Sequence, residues 1–138
     1  MEDALKDCVA GIIREKGLSQ LGDAFVNLAY SAAKTRVKGR PFGERVPDVV
    51  LSKAVGISGL PVPMRLTPGE RGDIAEGLIA LAWTKGMLTL DEAVSILCVG
   101  ISNWPYESRS LEREIMAKAF SNLITAAAKK AVGANALA

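Results

Sequence analysis

Two carboxylates stand three positions apart in DIAEGLIALAW, residues 73–83, a stretch that is otherwise almost wholly apolar. On a helix, Asp73 and Glu76 share a face, with Cβ atoms about 5–6 Å apart. Ionised side by side and partly buried, they repel. A hard cation such as magnesium takes oxygen ligands and removes that repulsion. A third carboxylate is set in the same way. LGDAFVNLAY, residues 21–30, carries Asp23 inside a segment rich in Leu, Ala and Phe. A helical wheel groups it with Ser19, Asn27, Tyr30 and Lys34. If the two polar strips face each other, Asp23 meets Asp73 and Glu76, and the three can hold one or two divalent ions. Such ions activate water and stabilise the charge that grows on a phosphate under in-line attack. A plainer role also suits these residues. Asp73 and Glu76 fall in the first turns of a helix, where anions favour the dipole, and Asp23 can pair with Lys16 or Lys34. Spacing alone leaves both readings open.

Other chemistries are narrowed by composition. The chain has no histidine, which removes Ser-His and Cys-His catalysis and histidine metal sites together. Carboxylates or lysines must carry any catalysis. No G-x-x-x-x-G-K-[ST] phosphate loop is present. Cys8 and Cys98 are isolated and read as two reduced thiols, with a disulfide as the alternative. The acidic MEDALKD start does not resemble a signal peptide, and no apolar run approaches the ~20 residues that span a bilayer. The expectation is a cytoplasmic protein without membrane contact. A net charge of +2 is too small to argue for nucleic acid by itself.

The elements that must position these residues are helical throughout. The length of 138 residues predicts one domain. A first helix carries Leu5, Cys8, Val9, Ile12 and Ile13 on one side, and Gly17 is placed to end it. A second runs from about 18 to 36, and a short third covers 46–55 before GISGLPVP. Thr67, Pro68 and Glu70 spell a capping box that starts the helix bearing Asp73 and Glu76. Thr89 and Glu92 repeat the device. The last helix is expected over about 108–131, with Gly133 as its stop. Its Ala119, Leu123, Ala126 and Ala127 suit a bundle core or an interface. Trp83 reads as core. Trp104, beside Pro105, reads as a loop aromatic for an interface or a base. The fold class is all-α, with about six helices.

LGDAFVNLAY resembles the signature helix of the ribonuclease III family, in which a Leu-Gly-Asp-Ala-Val-type stretch carries a metal-binding aspartate. DIAEGLIALAW is similar to that family's second motif, Asp-x-x-Glu-Ala-Leu-Ile-Gly, which supplies further acidic ligands. The order matches, and the 50 residues from Asp23 to Asp73 suit a compact member. The resemblance implies a lone endonuclease domain over residues 1–138, without a double-stranded-RNA-binding domain, as in mini-ribonuclease III. It implies that Asp23 and Glu76 hold Mg2+ (or Mn2+), with Asp73 beside them. It also implies a homodimer that hydrolyses double-stranded or structured RNA and leaves 5′-phosphate ends. One departure stands out. The family carries glutamates four and seven positions before the signature aspartate, and here those positions are Ser19 and Lys16. The alternatives are therefore a catalytically inactive dimer that binds RNA, or a helical interaction protein unrelated to RNA.

KTRVKGRPFGER follows the signature helix and gathers Lys34, Arg36, Lys38, Arg40 and Arg45. Beside an acidic metal cluster, such cations would meet RNA phosphates. Duplex RNA is read mostly through its shape, phosphates and 2′-hydroxyls. The same run is also what a solvated helix end and loop look like.

Overall fold

The computed structural model describes residues 2–103 and 105–137, the side chains of 134–137 excepted. Trp104 lies outside the described residues. Six helices follow one another: α1 Glu2–Arg14, α2 Lys16–Lys38, α3 Asp48–Ser58, α4 Pro68–Thr84, α5 Leu90–Gly100 and α6 Arg109–Leu137. The fold is all-α, with no strand among the described residues.

Two helix starts follow from local sequence. Thr67 Oγ1 accepts from the Glu70 backbone N–H at 3.1 Å, and the Glu70 carboxylate accepts from the Thr67 N–H at 3.0 Å. Thr89 and Glu92 repeat this at the start of α5, at 3.0 and 3.1 Å. Each pair satisfies N–H groups that have no partner within the helix. Pro68 occupies the first turn of α4, where a missing N–H costs nothing.

Other boundaries differ from the sequence pattern. Gly17 does not end α1. The break falls at Glu15, whose backbone leaves the helical region (φ −111°, ψ 84°), and Gly17 lies inside α2. Gly39 ends α2 and Gly59 ends α3, both with left-handed backbones. α6 runs on through Gly133 to Leu137, since no proline or positive φ stops it.

α4 is the central element and packs against α1, α2, α3 and α6. Its residues Ile74, Ala75, Leu78, Ile79, Ala80 and Ala82 are buried. They meet a core that includes Val26, Tyr30, Leu51, Leu97, Phe120, Leu123 and Ile124. Ala119, Leu123 and Ala127 of α6 belong to this core. Trp83 does not: it is 40 % exposed and leans on Phe25 at a ring-centroid distance of 5.5 Å. It sits at the solvent end of the α4 stripe, one residue before the helix stops. Both cysteines are free thiols; Cys8 is buried and Cys98 half-buried. No helix among the described residues is long and apolar enough to cross a membrane.

Candidate active site

The acidic residues come together because α2 and α4 approach without side chains between them. A Cβ on Gly22 would lie 2.0 Å from the Glu76 backbone oxygen, so only glycine fits there. On the next residue of α4, a Cβ on Gly77 would lie 2.4 Å from Ile12 Cγ2. α1, α2 and α4 thus converge within one turn of Glu76.

The opposite edge of α2 is fixed by a ladder of polar side chains four residues apart. Thr35 Oγ1 accepts from the Phe42 N–H at 3.1 Å and donates to the Phe42 carbonyl at 3.2 Å. Ser31 Oγ accepts from the Glu44 N–H at 2.9 Å and donates to its carbonyl at 3.1 Å. Asn27 Oδ1 accepts from the Val46 N–H at 2.7 Å. Residues 42–46 are thereby laid back along α2, towards Asp23. Asn27 then completes the ladder, donating through Nδ2 to Asp23 Oδ1 at 3.2 Å. Asp23 is held by a residue that is itself held by the loop.

A cleft of about 720 Å³ opens beside these residues. Asp23, Asp73 and Glu76 all line it, together with Asp48, Lys16 and Ser19. Glu76 is the buried member, with 5 % of its surface exposed, while Asp73 and Asp48 are exposed at the rim. Burial pushes the Glu76 carboxyl up to about 8, aided by its hydrogen bond to Asp23 and by the charges of Asp23, Asp73 and Asp48. Desolvation raises Asp73 as well, followed by the charges of Asp48, Asp23 and Glu70. With no cation bound, burial and the neighbouring acids therefore favour the protonated form of Glu76. No Lys or Arg among the described residues forms an ion pair with Glu76.

The donor set is chemically suited to a hard divalent cation: carboxylate oxygens that repel one another and lack a positive neighbour at the deepest position. The close pair is Asp23 and Glu76. Among the described residues no three acidic side chains are grouped tightly enough to hold an ion as they stand. Ser19 Oγ donates to the Lys16 carbonyl at 3.0 Å, so that hydroxyl is engaged within α2.

Asp48 is the member that the motifs did not point to. It opens α3 directly after Pro47, where an acidic residue reads simply as favouring the helix dipole. Only the packing of α3 against α4 carries it to the cleft. Asn27 and Gly22 were similarly visible as types but not as roles.

The basic run divides. Arg45 lines the cleft and meets Asp23 at 3.5 Å, with its side chain 82 % exposed. Arg40 is exposed. Arg36 is exposed and pairs with Asp91 at 3.5 Å. Lys38 lies over the Phe42 ring, 4.1 Å from its centroid. Lys34 does not belong on this surface. Its side chain is 2 % exposed, and its ammonium is held by Glu44 and, at 2.7 Å, by Glu112. The rings of Tyr30 and Phe42 stand 5.1 and 4.9 Å from it. It falls one turn after Tyr30 on the face that α2 turns inward, so it cannot reach a ligand in solution.

Against known proteins, the family model described as Ribonuclease III matches residues 16–133 of this chain. The matched span contains Asp23, Asp48, Asp73 and Glu76. No curated protein matches.

Proposed function

The chain belongs to the ribonuclease III family, and on that premise we propose that it is an endoribonuclease that cleaves double-stranded RNA with the help of a divalent cation. The observation that carries this reading is the pairing of Glu76 with Asp23. A carboxyl 5 % exposed, facing an open cleft and touching another carboxylate, is costly for folding alone. It is well suited to a cation, which turns the repulsion into attraction.

On this reading Asp23 and Glu76 hold Mg2+ or Mn2+, and Asp73 and Asp48 supply further oxygens from the rim. When bound, the ion supplies Lewis acidity and a more acidic water. The chain's own residues do the rest. Asn27 orients Asp23 and the close Gly22 contact fixes the Glu76 backbone. Arg45, beside Asp23, faces the position where a substrate phosphate would lie. Arg36, Lys38 and Arg40 extend positive charge away from the cleft for the phosphates further along the duplex. Residues 1–138 serve as one catalytic domain. Two copies pair through the exposed apolar residues Leu21 and Leu28, which lie one heptad apart on α2 on either side of Phe25, the residue that Trp83 leans on.

The test is cleavage of a labelled RNA duplex in magnesium or manganese. Wild type should cut it, and Glu76→Gln should not, with its helical circular dichroism unchanged. Undiminished cutting by Glu76→Gln would remove the assignment. A second reading, RNA binding without turnover, draws on Lys16 and Ser19, which stand where the resemblance places glutamates. It predicts a wild-type protein that retards the duplex and leaves it intact in either metal.

A further inference from the structure

A second cleft, of about 400 Å³, lies between α3 and the start of α6. Lys53, Arg109 and Arg113 line it, with Ser110, Val50 and Glu114. Three cations face one carboxylate, a local surplus as large as that of the whole chain. None of the three has an ion-pair partner among the described residues. This sets them apart from Lys34, Arg36 and Arg45, which are all matched to carboxylates.

Their placement, at exposed positions, adds nothing to folding and carries small local penalties. Arg109 and Arg113 are one turn apart on α6, where like charges repel. They also occupy the beginning of that helix, where the dipole is positive and acidic residues are favoured. Lys53 is brought against them by the packing of α3 on α6. A cluster that breaks local rules, with Glu114 as the one carboxylate lining the cleft and no ion pair to it among the described residues, is a mark of function. All three effects turn favourable when an anion fills the cleft.

The cleft lies on the other side of α3 from the acidic one. Asp48 lines the first cleft, while Val49, Val50 and Lys53 line the second. One helix, about 10–12 Å across, separates them. A duplex engaged at the acidic cleft is broad enough to reach over it.

We propose that Lys53, Arg109 and Arg113 form a second contact for the sugar–phosphate backbone of the RNA duplex that is engaged at Asp23 and Glu76. This rests on the RNA-directed reading above. It adds a site outside both acidic motifs and outside the basic run at the end of α2 and in the loop that follows. Every base carries the same phosphate, so the contact fixes the duplex without selecting sequence.

The experiment measures duplex-RNA affinity of the full chain against salt concentration, for wild type and for the triple variant Lys53→Gln, Arg109→Gln, Arg113→Gln. Each lost phosphate contact lowers the slope of log affinity against log salt by about 0.9. The triple variant should show a slope smaller by about 2 to 3 and bind at least tenfold more weakly at low salt. Its thermal midpoint should hold or rise, since like charges are removed. Lys53→Gln alone, which leaves α6 untouched, should lower the slope by about 0.9 and covers the case of a misfolded triple variant. Wild-type binding with an unchanged slope in Lys53→Gln and in a folded triple variant overturns the second contact and leaves the endonuclease reading standing. Failure of wild type to bind duplex RNA at any salt overturns both.

Discussion

The Cα of Gly22 lies so near the Glu76 carbonyl that a Cβ would come within 2.9 Å of three backbone atoms of Glu76, the oxygen at 2.0 Å being nearest. The glycine next to the signature aspartate is therefore a spacer. It sets the distance between the helix bearing Asp23 and the helix bearing Glu76. The acid pair exists at this geometry because the residue before Asp23 has no side chain.

Gly22→Ala should accordingly cost more than ordinary overpacking, which runs to about 1–3 kcal/mol, because the atoms it strikes are backbone. A loss of about 3 kcal/mol lowers the thermal midpoint by roughly 10 °C in a chain of this size. Thermal unfolding followed by circular dichroism measures it. A midpoint within 2 °C of wild type would mean that the helices separate freely.

Glu76 makes the cation-free protein sensitive to pH. Its folded value of about 8 exceeds the ordinary 4.5 of an unfolded glutamate. Between those values the folded state holds a proton that the unfolded state has released, so stability falls as pH rises from 5 to 8 and then levels. Thermal midpoints in a chelator should decline across that window in wild type and stay flatter in Glu76→Gln. Manganese should raise the wild-type midpoint most near pH 8, where the proton no longer competes with it.

Removing Lys34 should act on folding. Lys34→Met leaves Glu44 and Glu112 facing each other without their shared ammonium. Breaking a buried ion pair from one side costs about 3–5 kcal/mol. Changing all three residues to apolar ones of similar size should restore much of that loss. Denaturant unfolding of the single and triple variants checks the order.

Arg40 is the clean probe of the loop's role in binding, being exposed and outside the ion pairs described. Arg40→Ala should weaken duplex binding several-fold and lower the salt slope by about 0.9, leaving stability unchanged. Filter binding across a salt series reads both. A slope equal to that of wild type would take Arg40 off the RNA path.

What was legible in the sequence followed the range of the interaction. The capping boxes at Thr67 and Thr89 act within four residues, and both were readable from letters alone. The i, i+3 acids and the signature stretch were readable as motifs, and so was the six-helix plan. Asp48 was not, because nothing within α3 says that its first residue will overlook α4. The burial of Lys34 is hidden in the sequence for a similar reason. A run of basic residues in one dimension does not record that a helix turns one of them inward. Lys34 shares its helical face with Asn27 and Tyr30, and that face is the one the 42–46 loop covers. Trp83 departs in the other direction: its apolar neighbours on α4 are in the core, and its position at the end of that helix leaves it at the rim.

Lys34 also limits how far the Asp23 side and the Arg113 side of the molecule can drift apart. One of its carboxylates, Glu44, adjoins Arg45, which meets Asp23; the other, Glu112, adjoins Arg113. A single ammonium in the interior thus clamps the stems of both. If both regions grip an RNA duplex as proposed, this clamp fixes the spacing that the helical polyanion must match at each end.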